Sequence, residues 1–209
     1  IRPTTIPQTL EELIIEQAIA REALRLAFIH HKSLAVGLRG VQRQRSIGDV
    51  FDQSGSGDTL IDMMRLGILV GSGGVLSHAP RRVQSALMML DAFEPEGVTW
   101  LTVDSIFMMP QLGVLSVVHP QASAEVFDKD CLVRLGTGIA PAGTGREGEQ
   151  ILRYEIKMPD GKQIDGKLNF GEMRRLDLSE SETAEVVLDP ARAFDVGAGK
   201  GRQLKTKIH

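Results

Sequence analysis

Cysteine occurs once in this chain of 209 residues, at Cys131, so no internal disulfide is possible and a reducing, cytoplasmic compartment is the simplest home. The residues around Cys131 supply no activating histidine, and Leu132 and Val133 continue it into an apolar run, which reads as a core position rather than a thiol nucleophile. No apolar run is long enough to span a bilayer, which excludes the membrane as solvent. Charge of one sign is also lacking: the formal net charge is -3, without the dense basic face that nucleic-acid binding needs to displace counterions from phosphates. The first residues, Ile1-Arg2-Pro3-Thr4-Thr5, include no initiator methionine, basic segment or apolar leader, and the chain stops on the strand-like Leu204 to His209. Both ends read as cuts, with an upstream part expected.

What is present is ordinary globular composition, 42% hydrophobic and 24% charged, enough chain for one large or two small domains. Thr9-Leu10-Glu11-Glu12 has the spacing of a capping box and should open a helix. Leu10, Leu13, Ile14, Ala18, Leu24, Ala27 and Phe28 follow at helical spacing toward Gly37, predicting one long helix with a broad buried face. Gly40 to Asp58, rich in Gln, Arg, Ser and Gly, reads as a surface loop.

Leu66 to Val70 reads as a short buried strand stopped by Gly71-Ser72-Gly73-Gly74; past Pro80, Val83, Leu87 and Leu90 share a helical face. Val98 to Val103 is a second strand, followed by Asp104-Ser105 and a helix-like apolar run through Val118 that Pro110 should open or kink. Strand, helix and strand in that order predict an α/β sheet with a right-handed crossover. Beyond Cys131 the pattern becomes short and alternating, over Ile151–Met158, Gln163–Asn169, Met173–Leu178 and Thr183–Leu188, with Pro159-Asp160-Gly161-Lys162 as a hairpin turn. The expected organisation is therefore α/β plus β: an α/β domain over 1–135 and a small β-rich domain over 136–209, joined by the Gly- and Pro-containing stretch from Gly136 to Gly148, with the segment before it able to add a strand to either unit.

The glycine loop is the most informative local feature. Glycines let backbone amides approach a ligand and adopt positive φ, and such a loop before a helix is either an anion or nucleotide cradle or a simple turn. It matches neither a Walker A loop nor a dinucleotide fingerprint. His78 is a contact for a ligand or a helix cap; Arg81 and Arg82 are phosphate partners or solvated cations. Asp104 stands where a metal- or ribose-binding carboxylate sits after a strand, or caps the next helix. His30-His31 lacks companion ligands at metal spacing, and the pairs Met63-Met64, Met88-Met89 and Met108-Met109 read foremost as core filling. Asp195 to Gly201 is a second glycine loop, with a lysine at Lys200; it is a phosphate site or a long hairpin turn, the turn being favoured because no helix-forming segment follows it. These residues form no compact catalytic or metal-binding constellation.

Val70-Gly71-Ser72-Gly73-Gly74-Val75-Leu76-Ser77-His78-Ala79-Pro80, Val103 through Leu115 and Pro190 through Gly201 together resemble the glutamate mutase L family. The resemblance implies a partial ribonuclease-H-like, actin-like ATPase lobe over 1–135, followed by the β-rich domain. It implies that Gly71, Ser72, Gly73, Gly74 and His78 bind a nucleotide, and that Met109 to Gly113 form a hinge helix where Gly113 permits close helix approach. It further implies an accessory or reactivating chaperone that uses ATP and Mg²⁺, partners an adenosylcobalamin-dependent mutase and binds no cobalamin itself. The phosphate-gripping loop and Mg²⁺-holding acids of that fold do not occur in this sequence, so any ATPase activity would require a missing N-terminal lobe. Two alternatives stand beside this reading: a partner-docking module that binds no nucleotide, and part of a small-molecule kinase of the same fold.

Overall fold

The computed structural model describes residues 6–35, 60–178 and 183–208. The loop expected over Gly40 to Asp58 and the helix stop expected at Gly37 lie outside them. Two compact units are present, Ile1–Asp62 and Met63–His209.

In the first unit, helix α1 (Leu10–Leu34) starts at the predicted capping box. Thr9 Oγ1 accepts from the Glu12 amide at 3.2 Å, and Glu12 Oε2 accepts from the Thr9 amide at 3.2 Å. This reciprocal pairing satisfies amides that a helix start otherwise leaves open. Among the described residues none of α1 is buried, so the expected broad buried face is not seen within this unit. Aliphatic spacing fixes the helix but not what covers it.

The second unit contains two sheets. Strand β1 (Ile68–Gly71) lies parallel to β2 (Gly97–Asp104), in register from Ile68 opposite Trp100 to Gly71 opposite Val103. The crossover between them holds the short helix α2 (Gly74–Ser77) and helix α3 (Arg82–Phe93). The buried residues of α3 are Ser85, Met88, Met89 and Ala92, whereas the predicted face member Leu87 is exposed. The Ser85 hydroxyl donates to the Leu76 carbonyl at 2.6 Å, setting the helix's rotation so that the methionine pair fills the space over the sheet. Thr99 and Thr102, both buried, donate their hydroxyls to the Leu66 and Leu69 carbonyls and brace β1 against β2.

Past β2 the chain forms helices α4 (Met109–Ser116) and α5 (Pro120–Val126), then a π-helical turn over Phe127–Cys131. Pro110 stands in the first turn of α4, where its missing amide costs nothing. Strand β3 (Leu132–Ala140) then pairs antiparallel with β2, completing a sheet of order β1-β2-β3. Leu101 faces Gly136 and Thr102 faces Arg134, so Leu135 is an extra residue in the ladder, and Gly136 supplies the positive φ of 133° that this bulge requires. The expected division at 135/136 thus falls inside one strand; the glycine that suggested a linker is a bulge residue.

The second sheet is antiparallel, with β4 (Gln150–Lys157), β5 (Gln163–Asn169), β6 (Ala184–Pro190) and β7 (Leu204–Ile208) in the order β5-β4-β6-β7. Its turn from β4 to β5 is the predicted hairpin: Gly161 has φ of 85°, and the Met158 amide donates to the Lys162 carbonyl at 2.8 Å. Met173–Leu178 forms no strand, because consecutive arginines break its alternation and pair locally with Glu172 and Asp177. Ile156, Val186, Leu188, Phe194 and Val196 form the centre of the core, with Val98 and Ile139 of the first sheet packed against it. Among the described residues no helix is long and apolar enough to cross a membrane.

Candidate functional site

Because β1 and β2 are parallel, the loops that follow them emerge at the same end of the sheet, the end at which open α/β sheets bind ligands. An open cavity of about 510 Å³, closer to a surface depression than to an enclosed pocket, lies there, lined by Gly73, Gly74, Ser77, His78, Ile106 and Phe107.

The glycine loop builds one wall. At Gly71, an added Cβ would lie 2.9 Å from both Leu76 Cδ1 and Met89 Sδ, so this glycine serves packing under the loop and does not reach the cavity. Ser72 also lies outside the lining; its hydroxyl is shut off from solvent and has no hydrogen-bond partner among the described residues. Gly73 has φ of 100°, which side-chain-bearing residues rarely adopt, and an added Cβ at Gly74 would meet nothing within 4 Å. Here the backbone itself is open to approach. His78 ends α2, its amide donating to the Gly74 carbonyl at 2.9 Å, and this exposed residue lines the cavity.

Ile106 and Phe107 also line the cavity, and both are exposed. Asp104, fully buried at the end of β2, positions them. Its Oδ1 accepts from the Ile106 amide at 3.4 Å and its Oδ2 from the Met109 amide at 2.9 Å, while its carbonyl accepts the Ser77 hydroxyl. Of the two roles expected for Asp104, the structure gives it the helix start. Phe107 has φ of 59°, one of two positive values among the non-glycine residues described.

Of the expected site residues, Gly73, Gly74 and His78 come together at the cavity, whereas Gly71 and Ser72 lie behind it. Ser77, Ile106 and Phe107 are residues that sequence reasoning missed. A usable signal existed: a crossover that makes two strands parallel also brings the loop after the second strand beside the loop after the first.

The other candidates are accounted for locally. Arg82 donates to the Ser77 carbonyl at 2.7 Å, closing α2. The Arg81 amide donates to Gln84 Oε1 at the start of α3. His30 and His31 are exposed on α1. Cys131 is buried; that burial, followed by the charges of Asp104 and Asp130, pushes its thiol above the ordinary cysteine range, away from the thiolate a nucleophile needs. In the second glycine loop, Asp195 Oδ1 accepts from the Gly197 amide at 2.7 Å and the Gly199 amide at 2.9 Å. The molecule's own carboxylate thus occupies the place a phosphate would take.

Fold and cavity together define an α/β unit with a crevice at the strand ends and an antiparallel sheet joined to it. A family model described as MutL protein matches residues 1–131, more than half of the chain, and the chain belongs to that family. No curated protein and no solved structure matches it.

The family match corrects several expectations. The description MutL protein takes the place of the glutamate mutase L label, and it names no mutase, corrinoid, nucleotide or metal. The reactivating-chaperone role and the mutase partner are withdrawn with that label, as are the kinase and nucleotide-free docking alternatives. The partial actin-like lobe gives way to what is observed, a three-stranded mixed sheet with its helices. Among the described residues, an added Cβ at Gly113 would meet nothing within 4 Å. ATP and Mg²⁺ are withdrawn as cofactors: among the described residues the cavity lining contains no lysine or arginine to grip a triphosphate, and Asp104 is committed to the start of α4.

Proposed function

We propose that this chain is a small-molecule-binding unit whose site is the cavity at the carboxyl ends of β1 and β2. The observation that carries the reading is the convergence there of an open glycine backbone, one imidazole and one exposed aromatic ring. Pockets of this kind hold a ligand by apolar contact and orient it with a few polar groups. Among the described residues the lining holds no lysine or arginine, which favours an uncharged ligand with an apolar face, held at Gly73, Gly74 and His78. Gly71 and Ser72, expected in the same role, support the loop from behind. The single buried thiol supports a reducing, cytoplasmic setting.

Saturation-transfer NMR with adenosine, uridine and nicotinamide tests the reading. At least one probe receives saturation from the wild-type protein and loses it in Gly74→Val, whose side chain enters open space and leaves the fold intact. Absence of transfer to all three probes in the wild type contradicts the site.

A second reading rests on a different observation. Helix α1 exposes Leu10, Ile14, Ile15, Ile19, Leu26, Ile29 and Leu34. Aliphatic exposure on this scale favours self-association through α1. Sedimentation equilibrium checks it: a dimer that Ile15→Glu with Ile19→Glu converts to monomer supports the reading, and a wild-type monomer at 100 µM, roughly the concentration that probes weak dimers, removes it.

A further inference from the structure

Phe107 combines three properties that packing does not explain. The residue is 57% exposed, its φ of 59° lies in the left-handed region, and it lines the same cavity as the glycine loop. An exposed phenylalanine gains little from burial, and a β-carbon in the left-handed region costs conformational energy, so neither property stabilises the fold. Such a residue persists where its surroundings over-determine the backbone. Here the buried carboxylate of Asp104 does so, accepting the Ile106 and Met109 amides on either side of Phe107.

We propose that Phe107 is the specificity-determining residue of the site, a ring platform that selects ligands carrying a flat aromatic or heteroaromatic face, with Asp104 as its positioning residue. The inference rests on the cavity being a ligand site and adds the ligand's class and the residue that reads it. Gly74 offers backbone with no Cβ in the way, and the phenyl ring supplies a π face, so a flat ring is the shape that meets both. Ile106 extends the apolar edge, and His78 supplies a polar group that orients the ring.

The test compares the wild type with Phe107→Gly and Phe107→Leu, reading thermal unfolding together with the binding of adenosine and nicotinamide by NMR. Glycine removes the platform and accepts the left-handed backbone, so Phe107→Gly keeps or raises the unfolding temperature while binding falls at least tenfold. Leucine keeps apolar bulk, so Phe107→Leu binds several-fold more weakly, and the upfield ring-current shift of the bound probe disappears. Asp104→Asn, with its amide acceptor on one side only, retains the fold and shows a smaller ring-current shift than the wild type. Earlier unfolding of Phe107→Gly would make Phe107 a packing residue and overturn the proposal. Wild-type affinity and ring shifts in both Phe107 variants would overturn it as well, while leaving the site reading intact if the Gly73 and Gly74 amides still respond. A wild type in which no probe moves those amides takes away the site and the platform together.

Discussion

Two glycine-rich loops in this chain look alike as sequence and differ as chemistry. Gly71 to Gly74 follows a parallel strand and leaves open backbone facing a cavity; Asp195 to Gly201 links β6 to β7 and turns its amides inward onto its own aspartate. Gly197, Gly199 and Gly201 all take positive φ, and the Gly201 amide donates to the Phe194 carbonyl at 2.8 Å. Glycine density therefore reports a demand for unusual backbone, not a ligand. What separates the loops is the presence of a carboxylate able to satisfy the amides from within.

The first loop is anchored at Gly71, where it meets the core. Gly71→Val drives side-chain carbons into Leu76, Met89 and Val103, and overpacking of this kind costs about 3 kcal/mol. Urea unfolding should show the midpoint falling with an unchanged slope. A near-neutral result would mean that Gly71 does not anchor the loop.

Asp195→Ala probes the second loop. Removing one acceptor that serves two amides should destabilise the protein by about 2 kcal/mol, the range for hydrogen bonds to a charged group tempered by partial exposure. Thermal unfolding checks it, and added inorganic phosphate should recover part of the loss by filling the vacated position. An unchanged unfolding temperature would contradict the internal-ligand account.

Gly73→Ala makes the smallest change. It places a Cβ on a residue with φ of 100°, at a cost of about 1–2 kcal/mol, with nothing nearby to clash. Gly73→D-Ala, introduced by semisynthesis, should recover that loss, because a D residue favours positive φ. Equal stability of the two variants would show that conformation is not what glycine supplies there.

These differences bear on what a sequence can disclose. The strand–glycine loop–helix order, the capping box at Thr9 and the Pro159 to Lys162 hairpin were legible because each depends on residues close in sequence. The buried face of α3 was not, because Ser85 and the Leu76 carbonyl set its rotation from separate elements. Phe107 was hidden for the same reason: its backbone angle and its exposure follow from a carboxylate three residues earlier and from the parallel pairing of β1 with β2. The 135/136 division was misplaced because a bulge glycine and a linker glycine are the same letter.

The most direct test of the contrast is an amide chemical-shift titration of the ¹⁵N-labelled protein with adenosine. The account predicts shifts at Gly73, Gly74, His78 and Phe107, with Gly197 and Gly199 unmoved. Shifts confined to Gly197 and Gly199, or none at Gly73 and Gly74, would contradict it.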